Sequence, residues 1–146
     1  MRTLLDTNIL ARAAIGPPGL ANEVLLAATR PQHFLILSPF LLSELSRVLR
    51  YDRLRKVHGL SETEIDEYIA DLQLVAEIVV PGGPLATVVA SDPDDDPVVA
   101  TAIAGSVGIL CTRDRHLHSP AVRTYCQSHG VAVLDDRETL RRLRLS

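Results

Sequence analysis

Residues 2–14, RTLLDTNILARAA, change character at one position. Before Asp6 the chain carries a short apolar run of strand type. After it Ile9, Leu10, Ala13 and Ala14 recur at helical spacing. The stretch reads as a buried strand over 2–5 feeding a helix, with Thr7 or Asn8 as the expected helix cap. The same change recurs downstream. Residues 34–37, FLIL, are apolar throughout, as in a strand buried on both faces. Ser38-Pro39 then opens a helix, serine as cap and proline in the first turn, where its missing N–H costs nothing. That helix carries Leu41, Leu42, Leu45, Val48 and Leu49 on one side, with Glu44 about one and a half turns in. Three more short strands are expected at 77–80, within 107–112 and at 131–134. Further helices are expected over 20–29, over 51–58, from Ser61 with Glu64 completing a capping box, from Pro97, from Ser119-Pro120 to about 129 ahead of Gly130, and from Asp135 onward.

Short, uniformly apolar strands alternating with helices predict an α/β fold. We expect a three-layer sandwich in which a five-stranded parallel sheet has helices on both faces. Residues 1–146 read as a single domain, and the Gly/Pro stretches at 16–19 and 81–84 as turns. In such sheets ligands bind beyond the carboxyl ends of the strands, where strand order reverses. Asp6 ends the first strand and Asp114, in ILCTRD, follows the fourth. If those strands are neighbours, both carboxylates face one crevice.

Composition narrows the function. A net charge of −3 advertises no general nucleic-acid binder. The distribution is uneven, however. Arg47, Arg50, Arg53, Arg55 and Lys56 form one basic group, and Arg137, Arg141, Arg142 and Arg144 another. No apolar run approaches the roughly 20 residues that span a bilayer, and the start lacks an apolar segment of signal-peptide length. The expectation is a soluble cytoplasmic protein with no membrane contact. Cys111 and Cys126 show no metal spacing and read as buried reduced thiols.

Chemistry points to the acids: Asp6, Glu44, the run Asp92, Asp94, Asp95, Asp96, and Asp114. A carboxylate just past a buried strand is a poor choice for stability and a good one for a hard divalent cation. Several converging carboxylates would hold Mg²⁺ or Mn²⁺ and repel one another without it. Such a site can bind a phosphodiester oxygen and activate water. Metalloprotease, P-loop and dinucleotide motifs are missing from the sequence. His33, His58, His116, His118 and His129 are scattered, and His116 and His118 read as loop residues. Phosphotransferases that use acids in this architecture would want a second Asp where Asn8 stands, or a lysine near the last strand, and Lys56 is the chain's sole lysine.

LLDTNIL (4–10), SPFLLSEL (38–45), DPDDDPVVATAIA (92–104) and TRD (112–114), in that order, resemble a PIN domain. The likeness is nearest to the branch of toxin components akin to VapC ribonucleases, and RYDRLRKVHGLSETEIDEYI (50–69) extends it over nearly the whole chain. The resemblance implies a Mg²⁺- or Mn²⁺-dependent endoribonuclease, the toxin of a toxin–antitoxin pair, acting on RNA, neutralised by a cognate antitoxin and dimerising with itself. Asp6, Glu44 and Asp114 match the family's first, second and last acids. Counting back from Ala102 makes Asp95 the third. Counting back from Thr112-Arg113-Asp114 makes it Asp96. Asp92 and Asp94 then serve as loop and cap residues. Asn8 is expected to orient Asp6 or cap its helix, and Thr112 to bond a metal-binding carboxylate. Arg113 departs from the family pattern, in which a small residue is common there. Its guanidinium is expected either to meet the scissile phosphate or to point to solvent. Arg47 and Arg50 are the other candidate RNA contacts. Hydrolysis would be in-line, leaving 5′-phosphate and 3′-hydroxyl ends. Leu20, Val24, Leu25 and the helix over 41–49 are expected first to pack into the core, and otherwise could receive an antitoxin segment. The alternative is a module that keeps the acids but only docks RNA or protein, or less plausibly a metal-dependent phosphatase or phosphotransferase.

Overall fold

The computed structural model describes residues 1–16, 18–82 and 96–146, with Asp96 described in its backbone alone. Five strands form one parallel sheet: β1 (Arg2–Leu5), β2 (Phe34–Leu37), β3 (Ala76–Ile78), β4 (Ile109–Cys111) and β5 (Ala132–Leu134). Among the described residues there are eight helices: α1 (Thr7–Ala13), α2 (Leu20–Ala28), α3 (Pro39–Leu49), α4 (Asp52–His58), α5 (Glu62–Val75), α6 (Asp96–Ala104), α7 (Pro120–Ser128) and α8 (Asp136–Leu145).

The strand order is β3-β2-β1-β4-β5. The chain steps outward from β1 to β2 and β3, then returns to the other side of β1 for β4 and β5. The reversal lies between β1 and β4, which pair with Leu4 opposite Leu110 and Leu5 opposite Cys111. The Asp6 N–H extends the ladder to Cys111 O at 3.0 Å. The expected adjacency of the first and fourth strands is therefore present. Helices α8, α2, α1, α3 and α5 pack in series as one layer. Right-handed crossovers place helices that follow the return step on the opposite face, and α7 packs on β5 there.

The three inner strands explain why the sequence is apolar in short unbroken runs. Leu4, Leu5, Leu35, Ile36, Leu37, Ile109, Leu110 and Cys111 are all buried, because helices cover both faces. β3 differs. It is an edge strand, Glu77 and Ile78 are exposed, and the ladder ends at Ile78 rather than at residue 80. Glu77 instead takes two bonds from the Arg2 guanidinium, at 2.8 and 3.1 Å. Gly105 lets α6 end against the sheet, since a Cβ there would lie 2.6 Å from Ile36 Cγ2.

Local signals were accurate where the chemistry is local. Ser38 and Ser119 cap α3 and α7 ahead of prolines. Ser61 and Glu64 form the reciprocal capping box of α5. Gly130 takes a left-handed φ of 77° just after α7. The cap of α1 is a correction. Asp6 itself fills the place expected for Thr7 or Asn8, because its extended backbone and short carboxylate bond the N–H of Thr7. The apolar residues weighed between a partner groove and the core take the second place. Val24, Leu41, Leu42, Leu45 and Leu49 are buried in the core, and Leu20 and Leu25 pack against it. Cys111 and Cys126 are buried free thiols, and burial pushes the Cys111 thiol up to about 12.

Candidate functional site

At the reversal point Asp6 is only 3% exposed. Its position follows from its neighbours: β1 ends at Leu5, and the carboxylate turns α1 away from the sheet as N-cap. Oδ1 accepts the Thr7 N–H at 2.7 Å. Oδ2 accepts the Thr112 hydroxyl at 2.7 Å and the Asn8 side-chain amide at 3.2 Å. Thr112 is the first residue past β4, so this bond ties the ends of the two central strands together.

A small network spreads from there. The Asn8 Nδ2 also reaches Thr112 Oγ1 at 3.3 Å, and Asn8 Oδ1 accepts the Arg113 N–H at 3.2 Å. The Asp114 N–H donates to Thr112 Oγ1 at 3.0 Å. The Asp114 carboxylate accepts the His116 N–H at 2.9 Å, fixing the turn that follows. Asn8 and Thr112 thus hold Asp6 and the backbone that carries Asp114.

Charge is the second element of the geometry. Burial raises the Asp6 carboxyl to about 6, against the pull of its hydrogen bonds, and the negative charges of Glu44 and Asp114 raise it further. Glu44 reaches the site from α3, and Asp114 from the turn past β4. Three of the acids singled out in the sequence are thereby brought within one electrostatic neighbourhood. Asp92, Asp94 and Asp95 lie outside the described residues, as does the side chain of Asp96, whose backbone opens α6. A hydroxyl bond from Thr101 to Ser38 at 3.0 Å ties α6 to the carboxyl end of β2, on the same rim of the sheet.

The donor set fits a divalent cation. No described arginine or lysine acts on Asp6 to offset its burial. The Glu44 carboxylate has no hydrogen bond or ion pair among the described residues. Hard oxygen donors beside a buried carboxylate suit Mg²⁺ or Mn²⁺ rather than a softer metal. Among the described residues no three Asp, Glu, His or Cys side chains close on one point as a finished cage.

The basic residues sort by partner. Arg50 is held by Glu62 at 2.6 Å and Asp66 at 2.7 Å, and Arg55 pairs with Glu62. Arg47 donates to the Tyr51 hydroxyl at 3.1 Å. Arg113 has a carboxylate partner inside the chain. Its guanidinium is 46% exposed and pairs with Asp136 Oδ2 at 3.2 Å. Asp136, in the first turn of α8, has its other oxygen on the Arg137 N–H at 3.0 Å and is itself 5% exposed. The sequence reading passed over Asp136 because an acid in the first turn of a helix is ordinary. The signal was the doublet Asp135-Asp136, in which Asp135 does the capping and leaves its neighbour free for other work. His118 is also anchored, its Nε2 lying 2.7 Å from Thr112 O. A cavity of about 630 Å³ opens beside these residues, lined by Arg113, Asp114, Arg115, His116 and Ser119.

A doubly wound α/β domain with a buried acid at its topological switch point belongs to the class that binds ligands at strand ends. The comparison with family models is more specific: one describing the PIN domain matches residues 2–116, and the chain belongs to that family. Neither the comparison with curated proteins nor that with solved structures gives a match. PIN domains are in general nucleases and typically bind divalent metal ions. The match runs from β1 through the Asp114 turn, so Asp136 lies beyond it. Among the described residues no helix is long and apolar enough to cross a membrane.

Proposed function

We propose that the protein is a Mg²⁺- or Mn²⁺-dependent endoribonuclease and the toxin of a toxin–antitoxin pair. One observation carries the nuclease reading: Asp6 is buried at the switch point beside Glu44 and Asp114, with no basic side chain among the described residues to balance it. Asp6, Glu44 and Asp114 would hold the ion, with Asp95 or Asp96 as the fourth acid. The ion, when bound, supplies positive charge to the phosphate and an activated water.

The chain's own residues do the positioning. Thr112 and Asn8 fix one oxygen of Asp6, and the Thr7 N–H fixes the other, so the carboxylate does not swing. Arg113, steered by Asp136, stands next to Asp114 and offers a guanidinium to a phosphate at the mouth of the site. The carboxylates place the ion and do not themselves attack, so the products carry 5′-phosphate and 3′-hydroxyl ends. The toxin assignment rests on the ordered motif set along the chain. A homodimer and a neutralising antitoxin go with it, and growth arrest on expression, relieved by the neighbouring gene, is the expected behaviour in cells.

The test is cleavage of RNA with Mn²⁺, with EDTA, and by Asp6→Asn and Asp114→Asn. Each substitution removes several kcal/mol of transition-state stabilisation and lowers the rate by about 10³-fold. Cleavage that survives EDTA or either substitution, or products ending in 2′,3′-cyclic phosphate, would sink the proposal.

A further inference from the structure

The chain is poor in aromatic residues: two Phe, three Tyr and no Trp. Three of the five are engaged by neighbours away from the candidate site, though Phe34 is itself 54% exposed. Tyr68 is partly buried, with its hydroxyl on Leu10 O at 2.7 Å. Tyr125 packs on His129 with ring centroids 4.8 Å apart. Phe34 starts β2, at the opposite end of the sheet from Asp6, with Arg2 over its ring at 6.0 Å. Phe40 and Tyr51 remain, 38% and 44% exposed.

These two are not placed at random. On α3, Phe40, Glu44 and Arg47 follow at intervals of four and three residues, so at 100° per residue they fall within an arc of about 60°, and Tyr51, the residue that caps α4, comes two residues past the end of α3. The bond from Arg47 to the Tyr51 hydroxyl shows directly that the lower pair share one face. The part on α3, from Phe40 to Arg47, is about 10 Å long at 1.5 Å per residue, and Tyr51 extends it past the end of the helix. Its order is aromatic ring, site carboxylate, guanidinium, aromatic ring. The cations around it are sorted in the same sense. Arg50 and Arg55 are taken up by α5 carboxylates, whereas Arg47, Arg53 and Lys56 have no carboxylate partner among the described residues.

We infer that the exposed face of α3, continued into α4, is a track for an unpaired RNA strand, with Phe40 and Tyr51 as base-stacking platforms on either side of the Glu44 site. Arg47 takes a phosphate between them, and Arg53 and Lys56 take phosphates farther along. Exposed rings separated by cations suit a single strand, because each base offers a free face only when it is unstacked from a duplex. The inference rests on the nuclease reading for its choice of RNA, and it names the substrate of that site as single-stranded at the cut.

Binding can be read without cleavage. In EDTA, a short fluorescein-labelled oligouridylate should bind the wild type, and Phe40→Ala and Tyr51→Ala should each weaken it about tenfold or more. A base-paired oligonucleotide of equal length should bind weakly and ignore both changes. The absence of tryptophan supplies a second readout: the indole of Phe40→Trp should lose emission when the oligouridylate stacks on it. Alanine variants that bind as well as the wild type, or indole emission unmoved by a strand that does bind, would overturn the track. So would a change in the protein's mass in solution with Phe40→Ala in place of a change in affinity, because the face would then be a contact between copies. Quenching by the strand with no cleavage in Mn²⁺ would uphold the track and overturn the nuclease reading. Cleavage with a silent indole would do the reverse.

Discussion

Two carboxylates lie buried at the carboxyl ends of strands in this sheet, and they are solved in opposite ways. Asp136 follows β5 and has a guanidinium, Arg113, on one oxygen and a backbone N–H on the other. Asp6 follows β1 and has a hydroxyl, an amide and a backbone N–H, with two further acids nearby in place of a cation. Burying a charge is costly unless it is paired. Asp136 is paired within the chain. Asp6 is bonded, but no described basic side chain faces it. The difference separates an acid paired within the fold from an acid that, on the proposed function, is kept for a ligand.

The largest effect should appear at Asp6 in metal-free protein. Its carboxyl stands at about 6 when folded, above the ordinary 3.8, so the folded chain holds a proton that the unfolded chain has already released. That contribution is fully present below about pH 4 and is lost as pH rises through about 6. It amounts to about 3 kcal/mol. Denaturation midpoints of the wild type and Asp6→Asn, compared from pH 4 to pH 7.5, should show the wild type losing stability relative to the variant across that window. Parallel curves would mean that Asp6 is neutralised by something other than a bound ion. Slightly smaller is the effect of metal at neutral pH. Mn²⁺ at about a hundredfold over its dissociation constant should stabilise the wild type by about 2.7 kcal/mol and leave Asp6→Asn unmoved. Equal shifts in the two proteins would place the ion elsewhere. The smallest effect belongs to the satisfied acid. Arg113→Ala strands Asp136, but the guanidinium is half exposed and water replaces part of it, so the loss is about 1–2 kcal/mol, read as a fall in melting temperature. Removing Asp136 as well, by the double change Arg113→Ala with Asp136→Asn, should recover part of that fall. No recovery would mean that the pair is not coupled.

The contrast also marks what the sequence could tell. Strand and helix order was legible because the inner strands are buried on both faces and announce themselves as unbroken apolar runs. Ser38, Ser61 and Ser119 were legible as caps because a cap is made within four residues. The meeting of Asp6 with Asp114 followed only once β1 and β4 were neighbours, which strand alternation allows and does not dictate. The partition of the basic group was not legible. Arg47 and Arg50 look alike in sequence, and only the packing of α5 against α3 hands Arg50 to Glu62 and Asp66. Asp136 was missed for the same reason: its partner is 23 residues away and arrives through the tertiary fold.

The bond between Thr112 and Asp6 joins residues 106 apart in the chain. A contact so distant forms late, since the entropy of closing that loop must be met before the bond can form. The assembled site therefore cannot precede the fold. A nascent chain still short of β4 carries Asp6 and Glu44 but lacks the hydroxyl that aims one of them, so the network around Asp6 is complete only after β4 has joined the sheet.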